Sequence, residues 1–257
     1  MFIDKKEVLR YLRYRGHDAD SATDAVIDEC ISICDGAAKS LFVYSYFDIS
    51  RSDGGITVEG TNIVLTGKNI ARHLDGCSRC AVMAATIGIN IDNLIRRFEQ
   101  EDIAKAVILD TCASVCIEAL CDEISAKIAD EQSENGCVTT SRFSPGYGDL
   151  PLGLQSGILS ALSAGKRIGL TLTRSDIMIP RKSVTAIIGI KPADYIAGGK
   201  AGCATEAGMS EKTNARHVKR LTASSGLLFK MIKPINLLLF LVQKGCILSI
   251  SSRKFKA

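Results

Sequence analysis

Apolar residues recur three and four positions apart in several segments, which is the spacing of a helix with one buried face. In the longest of these segments, apolar residues stand at positions 103, 107, 109, 113, 116, 120 and 124. This segment is expected to form the central helix of the fold. The spacing predicts helices over residues 5–15, from Asp20 or Ser21 to about Ala38, over 67–74, from Asn90 or Asp92 onward, over 103–128 and over 154–164.

Alternating and continuous apolar runs predict strands in other segments. Residues 41–49 alternate, and a Ser-Asp-Gly-Gly turn separates them from 56–58 and 62–65, which predicts a small antiparallel meander. Residues 80–89 are almost continuously apolar, as in a central strand buried on both faces. Further strands are predicted over 137–142, 168–173 and 183–190. We therefore expect an α+β fold, with a twisted, mainly antiparallel sheet and helices packed around it.

Charge divides the chain near residue 190. Residues 1–190 carry 20 Lys and Arg against 25 Asp and Glu, whereas residues 191–257 carry 12 against three. We expect one domain over 1–190, followed by a basic and apolar tail over 191–257. The tail has three open interpretations: a basic interaction segment, an amphipathic stretch at a membrane surface, or non-native sequence from a shifted reading frame.

The sequence favours a cytoplasmic protein without a transmembrane segment. The opening residues MFIDKKEVLR lack the apolar run of a secretory signal, so the ten cysteines suggest a reducing compartment. Residues 227–250 are interrupted by three lysines and a proline, and they offer no clean apolar run of about 20 residues. Trp is absent and aromatic residues make up 5% of the chain, which disfavours a stacking surface for single-stranded nucleic acid. We expect no specific nucleic-acid partner.

Residues 141–151, SRFSPGYGDLP, form the most unusual segment of the chain. Pro145-Gly146 is typical of a type II turn, because glycine supplies the positive φ that the second central position requires. Arg142 and Tyr147 flank this turn, and together they offer a bidentate cation and an aromatic face to a ligand with a carboxylate and a ring. A tight surface connection with an arginine on its rim is the alternative interpretation.

The other reactive side chains give weaker patterns. Cys77 and Cys80 make one C-x-x-C pair without a second pair, so we predict no metal site. We expect Cys112, Cys116 and Cys121, at helical spacing, to be packing residues, and His17, His73 and His217 to be structural or exposed. No catalytic side chain is predicted.

Four segments together resemble the activation, or reactivation, domain of vitamin B12-dependent methionine synthase, in its stand-alone form. They are RFSPGYGDLP, the upstream TIGINID at Thr86–Asp92, the acidic helix around Asp110 and Glu118, and IPRKSVTAIIGI at Ile179–Ile190. The resemblance covers roughly residues 5–190. The Arg-x-x-x-Gly-Tyr pattern of Arg142, Gly146 and Tyr147 is this family's S-adenosylmethionine-binding signature, and the KSVTA segment follows it at the right distance.

The resemblance implies an S-adenosylmethionine site at this loop. Arg142 would bind the carboxylate of the ligand, and Glu118 is the candidate for its ammonium group. Pro145 and Gly146 shape the turn, so that the main chain can approach the adenosine closely. Tyr147 would pack near the sulfonium or the ribose.

The function that the resemblance implies is reductive methylation of cob(II)alamin to methylcobalamin. The cobalamin would be carried by a partner methionine synthase, the electron would come from a flavodoxin-like or other donor, and S-adenosylmethionine would supply the methyl group. Because cobalt is the nucleophile, the protein would need to place the ligand and would need no general base. The alternative is a non-catalytic corrinoid- or ligand-sensing module of the same fold, since Ile187–Ile190 lacks the Tyr of the longer multidomain relatives.

Overall fold

The computed structural model describes residues 3–14 and 19–195. The helices of these residues are α1 (Lys5–Tyr11), α2 (Ser21–Ala37), α3 (Lys68–His73), α4 (Ile89–Glu101), α5 (Ile103–Ser133), α6 (Leu154–Ala161) and α7 (Ala164–Ile168). The strands are β1 (Leu41–Ser52), β2 (Gly55–Val58), β3 (Ile63–Leu65), β4 (Arg79–Thr86), β5 (Cys137–Thr139), β6 (Thr171–Leu172), β7 (Met178–Ile179) and β8 (Ser183–Pro192).

Six strands form one sheet in the order β3-β2-β1-β4-β8-β5, and every neighbouring pair is antiparallel. Strands β6 and β7 form a separate ribbon. Helices α2, α4 and α5 contribute to the apolar core on one face of the large sheet, and α3, α6 and α7 to the core on the other. The predicted α+β class, with a mainly antiparallel sheet and packed helices, is confirmed.

Strand β4 lies between β1 and β8 and sends alternate side chains into the two cores. Ala81, Met83 and Ala85 belong to one core, and Cys80, Val82 and Ala84 to the other. A strand with a core on each face is apolar at every position, because its successive side chains point in opposite directions. The predicted buried central strand is therefore confirmed, although it ends at Thr86 and α4 begins at Ile89.

Helix α5 is 31 residues long and extends five residues beyond the predicted end. Its start is capped by Asp102, whose Oδ1 accepts a hydrogen bond from the N–H of Lys105 at 3.1 Å. Cys112, Cys116 and Cys121 are buried on this helix and pack in the core, as their spacing predicted. Burial raises the pKa of the Cys112 thiol to about 12, so this thiol stays protonated.

The predicted elements between 154 and 173 were partly wrong. The helix predicted over 154–164 ends at Ala161, and Ser163 adopts a left-handed conformation with φ of 51° before α7 begins. Ile168 is the last residue of α7, so the strand predicted over 168–173 is reduced to the two residues of β6. The ribbon partner β7 was not predicted, because two residues are too few to give a periodic pattern.

The predicted division at residue 190 falls inside β8, which continues to Pro192. Residues 196–257 lie outside the described residues, so the predicted tail and its three interpretations stay predictions, as does the domain division. His17, His217 and residues 227–250 also lie outside the described part. Within residues 3–14 and 19–195, no helix combines the length and the apolar content needed to cross a membrane.

Candidate functional site

A β-bulge directly precedes the Pro-Gly turn. Thr139 pairs with Ile190 and Phe143 with Ile187, so four steps along one strand match three along the other. One residue is therefore extra on the 139–143 side. A bulge redirects the side chains next to it, which explains why the strand predicted over 137–142 ends early.

Side chains complete the hydrogen bonding of this bulge. Thr140 Oγ1 accepts a bond from the N–H of Gly189 at 2.8 Å. His73 Nε2 lies 2.8 Å from the carbonyl oxygen of Ser141, and because a carbonyl only accepts, this nitrogen carries the proton. Burial lowers the pKa of His73. These contacts give His73 the structural role that the sequence predicted.

Arg142 extends from the bulge toward α5, where three side chains receive its guanidinium. Its Nη1 donates to Asp122 Oδ1 at 2.7 Å and to Ser125 Oγ at 3.1 Å, and its Nη2 donates to Glu118 Oε2 at 3.0 Å. The arginine side chain is 21% exposed, that of Glu118 36% and that of Asp122 68%. The two residues predicted to bind the two ends of an amino acid are therefore bonded to each other.

The acceptors for Arg142 lie on one face of α5. Glu118, Asp122 and Ser125 are four and three residues apart, which places them on successive turns of one helix face. The sequence predicted Glu118 and missed Asp122 and Ser125. Their spacing from Glu118 was the available signal, but it did not indicate that the guanidinium would reach past Glu118 to the next turns.

The predicted type II turn is present. The N–H of Tyr147 bonds to the carbonyl oxygen of Ser144 at 3.1 Å, with Pro145 and Gly146 as the two central residues. Gly146 has φ of 90°, a value that residues with a side chain rarely adopt. Pro145 is buried and Tyr147 is half-buried, so the turn packs against the rest of the fold and is not surrounded by water.

The far end of the loop is attached to α3. The carboxylate of Asp149 accepts hydrogen bonds from the N–H groups of Lys68 at 2.6 Å and Asn69 at 3.2 Å. These are the first two backbone donors of the helix, which have no partner within it. Leu150 is buried in the core beside α3 and α6. The loop is thus held at both ends.

The charges of Glu118 and Arg142 both act on Tyr147. Its pKa is raised by burial first and by the negative charge of Glu118 second, while the positive charge of Arg142 opposes the shift. Tyr11 on α1 is affected similarly, since burial and Glu118 raise its pKa to about 12. Both phenols therefore stay neutral near pH 7. Arg142 bonds to Glu118, and the charge of Glu118 acts on Tyr147; whether these three residues bind a ligand stays a prediction.

A second cation contacts the same helix closer to its start. Lys182 Nζ lies 2.9 Å from Asp110 Oδ1, 3.0 Å from the Asp110 carbonyl oxygen and 2.8 Å from Ser114 Oγ. The lysine side chain is 15% exposed and that of Asp110 is 29% exposed. Ser114 is one helical turn, about 6 Å along the axis, from Glu118. The sequence indicated Asp110 and the KSVTA segment separately, without pairing them.

Asp92, in the TIGINID segment, supports the residues next to Lys182. Its Oδ2 accepts a hydrogen bond from the N–H of Arg181 at 2.6 Å, and only 6% of Asp92 is exposed. Burial raises the pKa of this carboxyl group, and the backbone bond from Arg181 opposes the shift. Asp92 therefore links α4 to the start of β8.

Cys77 and Cys80 are buried, and burial raises the pKa of both thiols, to about 12 for Cys80. A Cβ at Gly189 would lie 2.6 Å from the Sγ of Cys77, so this thiol fills the space beside a glycine. Packing therefore explains the C-x-x-C pair. Among the described residues, no three His, Cys, Asp or Glu side chains are placed together to hold a metal ion.

A family model matches residues 70–203, slightly more than half of the chain, and its description is "Vitamin B12 dependent methionine synthase, activation domain". The chain belongs to this family. The matched residues of this chain include the bulge, the Pro-Gly turn, α5 and the KSVTA strand. The resemblance that the sequence motifs indicated is confirmed.

A solved structure with the same fold is the MetH reactivation domain bound to AdoHcy. It has a TM-score of 0.52 and 16% sequence identity, and the alignment covers 76% of this chain and 72% of that chain. A likeness at this identity supports the fold of the activation domain. No curated protein matches the sequence. The ligand contacts of Arg142, Glu118, Pro145, Gly146 and Tyr147 stay predictions.

Proposed function

We propose that this activation domain binds S-adenosylmethionine at the Arg142 cluster and acts as the reactivation subunit of a separate cobalamin-dependent methionine synthase. It would support the reductive methylation of cob(II)alamin to methylcobalamin on that partner. The electron would come from a flavodoxin-like or other donor. The cytoplasm is the proposed compartment, and it suits the cysteines that are free thiols, among them Cys34 and Cys77.

The observation that carries this proposal is the contact of Arg142 with Glu118 on α5, at the end of the strand that leads into the turn of Pro145 and Gly146. Arg142 and Glu118 offer the charges that bind a carboxylate and an ammonium group, and both act on the pKa of Tyr147. Gly146 in the type II turn has no side chain, so a ligand beside Tyr147 can approach the main chain closely. An amino acid linked to a nucleoside needs all three features.

Binding would change the partners of Arg142. A ligand carboxylate approaching the guanidinium meets two carboxylates, of which that of Asp122 is the more exposed. An exposed ion pair contributes roughly 0–1 kcal/mol, so breaking the bond between Arg142 and Asp122 costs less free energy than breaking the bond to Glu118. Glu118 can then keep its bond to Nη2 and face the ammonium group of the ligand.

The residues of this chain would act by placement. The cobalamin of the partner supplies the nucleophile, and this chain fixes the amino-acid end and the adenosine of the methyl donor, so that the methyl group is presented in one orientation. The neutral phenol of Tyr147 adds no negative charge near the sulfonium. No proton transfer is assigned to any residue.

A non-catalytic corrinoid- or ligand-sensing module of the same fold is the second candidate. Its support is the pairing of Arg142 with carboxylates of its own chain and the lack of a Tyr at Ile187–Ile190. Turnover separates the two candidates, because a sensor would bind ligand without methylating cobalamin.

The test is the absorption spectrum of methylcobalamin after mixing the full chain with a cobalamin-loaded methionine synthase, a reductant and S-adenosylmethionine. We expect methylcobalamin to form with the wild-type chain and to form much more slowly with Arg142→Ala. Arg174→Ala, at an exposed arginine outside the cluster, is the matched control and should behave as wild type. Ligand binding, measured by calorimetry, without any methylcobalamin would favour the sensor, and no binding would overturn the proposed S-adenosylmethionine site.

A further inference from the structure

Helix α5 carries two exposed aliphatic side chains near its start. Ile103 is 61% exposed and Val107 is 54% exposed. They stand four residues apart, which places them on one face of the helix. The neighbouring Ile108 and Leu109 are buried in the core, so the fold itself does not use the face of Ile103 and Val107. Such side chains gain free energy when a partner removes them from water.

The same face of α5 continues to the Arg142 cluster. Steps of seven and four residues lead from Val107 through Ser114 to Glu118, and these steps return to one face of a helix. At a rise of about 1.5 Å per residue, Glu118 is about 16 Å from Val107 and about 22 Å from Ile103 along the axis. The proposed ligand site and the two aliphatic side chains therefore share one face of α5.

Lys182 contacts this face between the two. Its Nζ bonds to Asp110 and Ser114, and its side chain is 15% exposed. Because the lysine charge is already paired, a protein that covers it leaves no ion uncompensated. Ile179 is 42% exposed and stands three residues before Lys182, so the two backbones are within about 10 Å. Ile179 adds a third exposed aliphatic side chain near this lysine.

The opposite direction along α5 has a different chemistry. Beyond the Arg142 cluster, the helix exposes the carboxylates of Asp122, Glu123 and Asp130. Asp and Glu are depleted in the core of protein interfaces. A partner that covers the ligand site therefore buries fewer charges over the start of α5 than over its end.

The proposed chemistry requires a partner at this site. A methyl group that passes from a bound ligand to cobalt on another protein needs that protein in contact with the opening of the site. A stable interface covers about 800 Å² on each partner, which is a patch about 30 Å across. A patch of this width that begins at the Arg142 cluster and extends toward the start of α5 includes Val107 and Ile103.

We propose that Ile103, Val107 and Ile179 form the docking surface for the cobalamin-carrying methionine synthase. This inference rests on the proposed function and adds where the partner binds. The partner covers the start of α5 and the Lys182 cluster with an apolar surface of its own. Its cobalamin then faces the ligand at Arg142.

The test measures methylcobalamin formation by the full chain against the concentration of a cobalamin-loaded methionine synthase, with a reductant and saturating S-adenosylmethionine. The double variant Ile103→Gln with Val107→Gln keeps helix-forming residues, changes no charge and removes the aliphatic surface. We expect the KM for the partner to rise about tenfold. The rate at saturating partner and the dissociation constant of S-adenosylmethionine, measured by calorimetry, should stay as in the wild type.

Val138→Gln is the matched control. Val138 is also an exposed aliphatic residue, at 42%, but it lies on β5, which follows the opposite end of α5. It should leave the KM for the partner unchanged. Sedimentation of the full chain with and without the partner is a second readout that does not depend on turnover. Complex formation should be weaker in the double variant than in the wild type or in Val138→Gln.

The outcomes separate the docking surface from the proposed function. If the double variant weakens the complex but even the wild type forms no methylcobalamin, the docking surface stands and the proposed function fails. If methylcobalamin forms and the double variant keeps the wild-type KM, the proposed function stands and the docking surface is refuted. An equal rise in KM in Val138→Gln, or weaker S-adenosylmethionine binding in the double variant, also refutes it.

Sedimentation also tests a second copy of this chain as the occupant. A wild-type dimer that the double variant dissociates would assign the surface to self-association and refute the proposal. If the wild-type chain forms no complex with the partner and no methylcobalamin, both the docking surface and the proposed function fail.

Discussion

Two cations approach the same face of α5, and their surroundings differ. Lys182 has one carboxylate, one backbone carbonyl and one hydroxyl as partners, and its side chain is slightly more buried than that of Arg142. Arg142 has two carboxylates and a hydroxyl, and one of these carboxylates is largely exposed. In the Lys182 cluster, one cation pairs with one carboxylate and both are mostly buried. The Arg142 cluster contains an exposed carboxylate, that of Asp122, which a ligand carboxylate can displace. A ligand site needs the second arrangement, whereas a link between β8 and α5 needs the first.

The largest expected effect is on stability, which should fall more when Lys182 loses its charge than when Arg142 does. Lys182→Met keeps the apolar stem and removes the three polar contacts of the ammonium group, so we expect the free energy of unfolding to fall by about 1–3 kcal/mol. Arg142→Met should cost about 1 kcal/mol or less, because its partners are more exposed. Urea unfolding of both variants measures the difference. A larger loss for Arg142→Met would reverse the comparison.

Gly146→Ala tests whether the turn belongs to the Arg142 cluster alone. An alanine at φ of 90° costs about 1–2 kcal/mol, and the turn can relieve this strain by moving Tyr147. We expect weaker S-adenosylmethionine binding, measured by calorimetry, in a chain that is still folded. Gly136→Ala, at another glycine with positive φ and open space around it, is the control for general strain and should bind normally.

Asp149→Ala tests the attachment of the loop to α3. Removing a carboxylate that caps a helix costs about 0.5–2 kcal/mol, and the loop loses its connection to Lys68 and Asn69. Hydrogen exchange should become faster at residues 144–150 and stay unchanged at Lys182. Equal acceleration at both clusters would mean that the two are not independent.

The smallest effect concerns pH and His73. Burial lowers the pKa of folded His73 below its unfolded value of about 6.5. The unfolded chain therefore binds more protons between these two pKa values, and stability is lost as the pH falls through this window. His73→Gln keeps a side-chain N–H donor and removes the titration. Unfolding midpoints at pH 7.5 and 5.5 should differ less in the variant, and an equal difference would contradict this role.

The sequence predicted those parts of the site that depend on local conformation. Pro145-Gly146 dictates its own turn, because both residues restrict φ in the required way. The apolar spacing of α5 likewise placed Glu118 on a helix. Each of these features depends on residues only a few positions apart in the chain.

The parts that depend on distant residues could not be predicted. The bulge arises because the Thr140 hydroxyl replaces a backbone acceptor for Gly189, and no pattern near Thr140 indicates that partner. The bond from Arg142 to Asp122 follows from the bulge, so it was missed as well. The sequence places Lys182 in a strand motif but does not indicate its contact with Asp110, because the two residues are 72 positions apart in the chain.

The most direct test of the account is calorimetric titration of the full chain with S-adenosylmethionine, for the wild type and for Arg142→Ala and Lys182→Met. We expect Arg142→Ala to weaken binding roughly ten- to hundredfold, from the 1.5–3 kcal/mol of hydrogen bonds to a charged group. Lys182→Met should bind nearly as wild type once it is folded. Equal binding by the wild type and Arg142→Ala would contradict the assignment of the site.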